Sequence, residues 1–502
     1  MRAHERIDRS PEGFVHSGPA PAQHTLTLHL GLAQGNFKVL EDALYAVSTP
    51  SNPRYGQHLT KEETEALIAP TPETVAAGSP AGDYIRVNAT IAQAKFGATA
   101  IRTLEYSTPA ALKDHVNFIH PTVSFPVRNV MRSIKKTTLK MKSDVYINST
   151  VRPVPEVYNG TVAPSTLRAQ YGIPDAPATQ AIKTISVFEF GNSWASEADL
   201  KLFRADFQPA SSSSGTFNVY STDRNSDPTR HDHTVEANLG VRYTVGLALG
   251  IKSAFVCGED DVDGFLAEAS FLLEQPHAPG HNHITRYKQG THFAYPCQVY
   301  AVLDAHGAYL HLEMAVFQVF VTNTGTNFNQ SSLQLAPLRI SVTAVGDTTG
   351  TNPEVAAPFS SGGFSRLFDR PFTQDSAVGA YLEELGKAYE GLFNLNGPKD
   401  IIITLKGEAI TVDGTSGSSS IFASIIALLN DERTATTKLP LGFLNPMIYA
   451  LPSIFNDITS GHWPWVAELH RLWNVDESVI TIVAPELQTG WEVQNRAPRS
   501  IF

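Results

Sequence analysis

The sequence predicts an α/β fold, a parallel sheet with flanking helices, preceded by a smaller α+β unit. Three observations lead there. At 502 residues the chain exceeds what one ordinary core supports, so two globular units joined by a linker are expected. Hydrophobic residues make up 42% and charged residues 17%, which gives both units enough apolar material to pack and excludes a disordered chain. Beyond Asn159, segments with strand pattern alternate with helical ones, and that alternation implies parallel pairing with helices on both sheet faces. Sheets of this kind place their functional groups at the strand ends.

Taken in order, Thr25-Leu-Thr-Leu-His-Leu alternates apolar and polar residues as a half-buried strand does. Leu40-Glu-Asp-Ala-Leu-Tyr-Ala-Val has helical apolar spacing, and Ser51-Asn-Pro-Arg-Tyr-Gly collects turn formers behind it. Further strands are expected at Asp83-Tyr-Ile-Arg-Val and Ala100-Ile-Arg-Thr-Leu. From 127 to 159 the chain turns basic and polar, with Arg132, Lys135, Lys136, Lys140 and Lys142 close together. That stretch reads as a solvated linker, or as an activation segment, since nicking concentrates in exposed polar linkers. Lys183-Thr-Ile-Ser-Val-Phe-Glu-Phe reads as a buried strand, His233 to Leu249 as an amphipathic helix, and Ser253-Ala-Phe-Val-Cys as the next strand.

A formal charge of -11 disfavours nucleic acid as the main partner, because neutralising phosphates needs a basic face. No run of about 18 apolar residues is present, so no membrane-spanning helix is expected. Cys257 and Cys297 permit one bridge or two buried thiols, not a disulfide framework. The opening Met1-Arg-Ala-His-Glu-Arg lacks the apolar stretch of a signal peptide, which taken literally places the chain in the cytosol. Sequons at Asn88, Asn148, Asn159 and Asn329 point the other way, because they matter only in a secreted chain.

Two stretches carry candidate chemistry. In Val412-Asp-Gly-Thr-Ser-Gly-Ser-Ser-Ser, small residues lead into a long apolar helix, which sets Ser416 near a helix N-terminus. Free backbone N–H groups and the positive dipole end there favour a developing oxyanion. The same stretch also reads as a serine-rich N-cap before a core helix. A serine nucleophile needs a base, and His233-Thr-Val-Glu-Ala-Asn-Leu-Gly puts Glu236 on the predicted helix. A carboxylate is largely ionised from about pH 4 upward, so it accepts a serine proton where imidazole is already protonated. Alone, Glu236 equally reads as an exposed helical glutamate. His231 and His233 invite a Ser-His-Asp arrangement, but their spacing supports only a solvated turn. His277-Ala-Pro-Gly-His-Asn-His matches no standard metal-ligand spacing and reads as a flexible histidine-bearing loop.

Several blocks resemble a known family, and they occur in its order. Thr25-Leu-Thr-Leu-His-Leu, Pro50-Ser-Asn-Pro-Arg-Tyr-Gly-Gln-His-Leu-Thr and His120-Pro-Thr-Val-Ser-Phe-Pro look like the activation domain of kumamolisin-type propeptides. Thr166-Leu-Arg-Ala-Gln-Tyr-Gly-Ile-Pro, Glu236-Ala-Asn-Leu, Ser341-Val-Thr-Ala-Val-Gly, Phe359-Ser-Ser-Gly-Gly-Phe-Ser, Gly414-Thr-Ser, Leu441-Gly-Phe-Leu-Asn-Pro and Phe455-Asn-Asp-Ile-Thr-Ser-Gly resemble the catalytic domain of fungal sedolisins. The resemblance implies a subtilisin-like α/β catalytic domain behind an α+β pro-domain, made as a secreted proenzyme. It divides the chain into an N-terminal segment 1–24, an activation domain 25–126, a linker or maturation segment 127–160 and a peptidase domain 161–502. It further implies a monomer that hydrolyses peptide or protein substrates at acidic pH with a Ser-Glu-Asp triad, commonly releasing tripeptides. By motif position Ser416 is the nucleophile and Glu236 the general base. One calcium ion is implied, with Asp457 giving a carboxylate and Ile458 a backbone carbonyl.

The sequence departs from the family pattern at defined places. The triad aspartate should follow Glu236 by four residues, and Gly240 stands there. Asp232, four residues before Glu236, is a poor substitute. Between 275 and 338 the family's Gly-Asp-rich loop, whose aspartate helps bind the oxyanion, is not found. Pro398-Lys-Asp-Ile-Ile-Ile-Thr-Leu-Lys-Gly replaces a Pro-Asp-Val-Ser-Ala-like strand, and after Gly461 the remaining calcium loop is missing. Calcium takes six or more oxygens, so two ligands hold it weakly. Resemblance lost and regained this abruptly is the pattern of wrongly framed or mis-joined coding segments, to which the polar start also belongs. A transcript encoding these segments as written would refute that origin.

Overall fold

The structure is a computed structural model and describes residues 2–8, 10, 16, 18, 23, 25–33, 37–69, 84–90, 102–112, 115–123, 136–138, 162–180, 184–190, 193–208, 215–222, 233–258, 271–272, 280–283, 310–313, 343–345, 348–349, 355–356, 371–377, 379, 401–406, 408–412 and 415–451. The N-terminal unit contains β1 (Arg2–Arg6), β2 (Thr25–Leu32), α1 (Phe37–Ser48), α2 (Lys61–Ile68), β3 (Tyr84–Thr90), β4 (Glu105–Thr108) and β5 (Val116–His120). Strands β3, β2 and β5 form an antiparallel sheet in that order. The α1 helix buries Leu40, Leu44, Tyr45 and Val47, the stripe that its spacing predicts. A reciprocal capping box between Thr60 and Glu63 starts α2. Residues 2–6, expected to stand apart from this domain, form β1 and pair antiparallel with β4. Of the strand expected at Ala100 to Leu104, residues 100 and 101 lie outside the described residues, and the described strand begins at Glu105. There the Thr103 hydroxyl donates to Glu105 O at 2.8 Å and accepts the Glu105 N–H at 3.3 Å, a local loop that competes with the ladder.

After β6 (Lys136–Thr138) come α3 (Pro164–Tyr171), β7 (Thr184–Phe190), α4 (Glu197–Phe207), β8 (Phe217–Ser221), α5 (Val235–Leu247), β9 (Lys252–Gly258), β10 (Gly280–His283), β11 (Leu310–Glu313) and β12 (Thr343–Val345). The short β13 (Thr348–Thr349) and β14 (Val355–Ala356) follow, then β15 (Ile401–Leu405), β16 (Glu408–Val412), α6 (Thr415–Ala435) and α7 (Asn445–Ala450). Six strands form one sheet in the order β12-β11-β10-β7-β9-β8, with every pairing parallel. Ile185, Ser186, Val187, Phe188 and Glu189 of β7 are all buried, as both faces of a covered parallel strand must be. At the edge, β8 leaves Val219 and Tyr220 exposed.

Two expectations change. His281 and His283 lie in β10, between β7 and β11, so residues 280–283 are a sheet strand and not a loop, while His277 lies outside the described residues. Pairing on both sides decides this, against a side-chain pattern that has no strand character. Among the described residues no group of His, Cys, Asp and Glu could hold a metal ion. The basic linker also contributes structure, because β6 pairs antiparallel with β16, and β16 with β15, in a small separate sheet. Thus β15 and β16 lie in the divergent stretch 397–411, just as β10 and β11 lie in 275–338. Residues 462–502 lie outside the described residues.

The N-terminal unit touches the region after α6 and the segment at Phe372, which precedes β15. His58 Nε2–H donates to Pro440 O at 3.1 Å, and the Tyr45 ring lies 4.7 Å from Phe372 and 6.1 Å from Phe443. Gly56, at φ +77°, turns the chain against Leu439.

Candidate active site

The start of α5 is fixed by its cap. Thr234 accepts the Ala237 N–H on its hydroxyl at 3.2 Å, and its own N–H donates to Trp194 O at 3.1 Å. Trp194 lies just past the C-terminal end of β7 and bridges His233, so the first turn of α5, with Glu236, opens beside that strand end. Glu236 is buried, not the exposed glutamate that the sequence alone allowed.

The α6 helix lies against α5. The Ser424 hydroxyl donates to Ser420 O at 2.8 Å and sits 3.3 and 3.4 Å from the carbonyl oxygens of Tyr243 and Thr244. Further along α6, Asp431 accepts the N–H groups of Thr179 and Gln180 at 2.8 and 2.7 Å, while the adjoining Ala178 N–H donates to Leu249 O at 2.7 Å. The two contacts occur in the same order along both helices, so α5 and α6 run parallel. Ser416 stands eight positions before Ser424, about 12 Å along the axis, and Glu236 seven before Tyr243, about 10.5 Å. Both first turns therefore open at the same end of the helix pair.

The facing sides agree with this. Glu236, Gly240, Tyr243 and Leu247, spaced i, i+4, i+7 and i+11, fall on one side of α5. Tyr243 and Leu247 pack in one cluster with Ile421 and Leu428 of α6. Ser420 and Ser424 are fully buried, and on α6 they continue the row that Ser416 begins. Small side chains there let the two helices approach closely.

Buried arginines secure the surroundings. Arg168 of α3 donates to Gly246 O and Leu247 O at 3.0 and 2.9 Å, satisfying carbonyls that the end of α5 leaves open. Arg242 is wholly buried, with one nitrogen 3.7 Å from Asp199 Oδ2 and 3.1 Å from Asn238 Oδ1. Burial pushes its guanidinium down to about 9, with Asp199 pulling it back up.

Ser416 and Gly240 thus lie in the first turn of α6 and on the Glu236 side of α5. His233 precedes the α5 cap, whereas His231 and Asp232 lie outside the described residues, as do Asp457, Ile458 and Cys297. Cys257 is buried in β9. Sequence reasoning missed Ser424, Asp199 and Arg242. Serine at i, i+4 and i+8 of an apolar helix, and a lone arginine in another, were the available signals.

The described structure is a parallel α/β domain, with two parallel helices opening at one end, behind a smaller α+β unit. Residues 12–125 match the family described as "Pro-kumamolisin, activation domain". The chain is 30% identical over 533 residues to tripeptidyl-peptidase SED2 of Arthroderma otae, covering 91% of this chain and 87% of that protein. It is 29% identical over 536 residues to probable tripeptidyl-peptidase SED3 of Trichophyton verrucosum, with the same coverage of 91% and 87%. Among solved structures it is similar to Pseudomonas sedolisin (serine-carboxyl proteinase) complexed with pseudo-iodotyrostatin, at TM-score 0.43 and 19% identity over 61% of this chain and 90% of that one. The chain belongs to the sedolisin family of serine-carboxyl peptidases.

Proposed function

We propose that the chain is the proenzyme of an acid-acting serine-carboxyl peptidase that releases tripeptides, with Ser416 as nucleophile and Glu236 as general base. The observation that carries this is the parallel pairing of α5 and α6, with both first turns at one end. In the reaction, the Ser416 hydroxyl oxygen bonds to the substrate carbonyl carbon as Glu236 takes its proton. The C–N bond then breaks, the proton passes to the departing amine, and water releases the acyl group by the reverse sequence. Backbone N–H groups at the start of α6 supply stabilisation to the oxyanion. The substrates are peptides or proteins outside the cell, and the enzyme acts as a monomer. Calcium at Asp457 and Ile458 remains part of this reading by resemblance, and no step is routed through it.

Gly240 favours a second reading, a relative that keeps the fold for binding peptides without catalysis. It removes the carboxylate that would orient Glu236, and loss of the orienting member in another serine triad lowers turnover on the order of 10⁴-fold. The experiment is tripeptide release from an unblocked peptide at acidic pH by the wild type, Ser416→Ala and Gly240→Asp. Slow release that Gly240→Asp raises and Ser416→Ala abolishes supports the peptidase. Equal release by the wild type and Ser416→Ala removes Ser416 as nucleophile. No release by either the wild type or Gly240→Asp, with the fold intact, favours the binding relative.

A further inference from the structure

The buried cation on α5 joins three elements that are far apart in the chain. Asp199 Oδ2 lies 3.7 Å from Arg242 and also accepts the Lys406 N–H at 2.8 Å. Lys406 sits in the two-residue turn between β15 and β16 with φ 52°, the left-handed conformation that such a hairpin turn takes. Strand β16 runs from that turn almost directly into α6 and Ser416. On the other side, Arg242 donates to Asn238 Oδ1, which also accepts the Ser196 N–H at 2.9 Å. Asn238 Nδ2 donates to Thr234 O at 2.7 Å, the residue that caps the Glu236 turn. The Arg242 guanidinium carbon lies 5.8 Å from the centre of the Phe203 ring, so α4 closes the remaining side.

We propose that Arg242 and Asp199 are positioning residues that set the Glu236 turn of α5 against the hairpin leading to Ser416. The proposal rests on the peptidase reading of those two residues. A simple core role would need only an apolar group of similar size, which serves a buried pair's volume without desolvating two charges. The pair instead spends its hydrogen bonds on two segments, the α5 cap and the Lys406 turn. One guanidinium nitrogen reaches both Asp199 Oδ2 and Asn238 Oδ1 while the planar ion lies over the Phe203 ring, an arrangement that a lysine ammonium does not reproduce.

The test uses the full chain, with Arg242→Lys and Asp199→Asn made separately and in the Gly240→Asp background. Amide hydrogen exchange should rise at Lys406 and over residues 234–238, leaving α1 and the second half of α6 unchanged. Tripeptide release should lose kcat by roughly 10²-fold, as small misplacements of reacting groups do, with KM within about twofold. Arg242→Lys, the milder change, serves if Asp199→Asn does not fold. Exchange that rises evenly across the chain, or kcat that holds while Lys406 loosens, overturns the positioning role. The exchange arm needs no turnover, so failure of the peptidase reading, seen as equal activity of the wild type and Ser416→Ala, is recognised separately.

Discussion

The contact between α5 and α6 and the contact between the N-terminal unit and the region after α6 are made of different materials. In the first, Tyr243, Leu247, Ser420 and Ser424 are fully buried, and a serine hydroxyl meets main-chain carbonyls. In the second, Tyr45 and Phe443 are buried, but Phe372 is 62% exposed and Leu439 52% exposed, and His58 donates one hydrogen bond to Pro440. The helix pair cannot separate without opening a core, whereas the second contact, exposed at Phe372 and Leu439, resembles the interfaces between domains that move relative to one another. The difference is what the proposed reading requires, in which Glu236 and Ser416 would stay together while the N-terminal unit leaves.

The largest effect should follow Ser424→Leu, which forces a larger side chain between the two helices. Overpacking of this kind costs about 3 kcal/mol, which for a domain of this size lowers the thermal midpoint by roughly 4 °C. Thermal unfolding measures it, and tripeptide release should fall with it. A smaller and more local effect is expected from Phe372→Ala, which removes an aromatic pair with Tyr45 worth about 1 kcal/mol. Hydrogen exchange should then rise in α1 and residues 51–58, with α5 and α6 unmoved. If α5 loosens as well, the two contacts are not independent.

The smallest effect concerns pH at the far end of α6. Burial holds the Glu432 carboxyl above the usual glutamate range, with Lys438 partly opposing it. As pH rises from the ordinary glutamate value, the unfolded chain gives up this proton before the folded one, so the group's contribution to stability falls. Below that value both states are protonated and the group is neutral in its effect. Glu432→Gln should therefore raise the thermal midpoint slightly at neutral pH and leave it unchanged at acidic pH, in parallel melting curves.

Much of the fold was legible where a periodic pattern coincides with burial. The runs that became β7 and β9 are long and regular and α1 carries its stripe openly, whereas α5, expected to be amphipathic, is buried on every side from Val235 to Leu247. The strand β10 was not legible, since Gly-His-Asn-His has no strand pattern and is held by neighbours on either side. The β6 strand was hidden in the same way, because its partner lies in a distant hairpin. At the site, Glu236 and Ser416 could be chosen from local sequence plus resemblance, because each stands at a helix start. Asp199 could not, since its meaning comes from Lys406, 207 positions away, and from an arginine on another helix.

The direction of α5 relative to α6 is tested most directly by joining their first turns. In a Glu236→Cys/Ser416→Cys chain, a bifunctional thiol reagent spanning about 10 Å, the axial separation of neighbouring helices, should link the two positions. Mass spectrometry of the digested protein reads the linked peptides. The parallel arrangement predicts this pair as the dominant link, formed in the folded chain and lost on denaturation. A folded chain in which positions 236 and 416 both react singly but are never joined would contradict it.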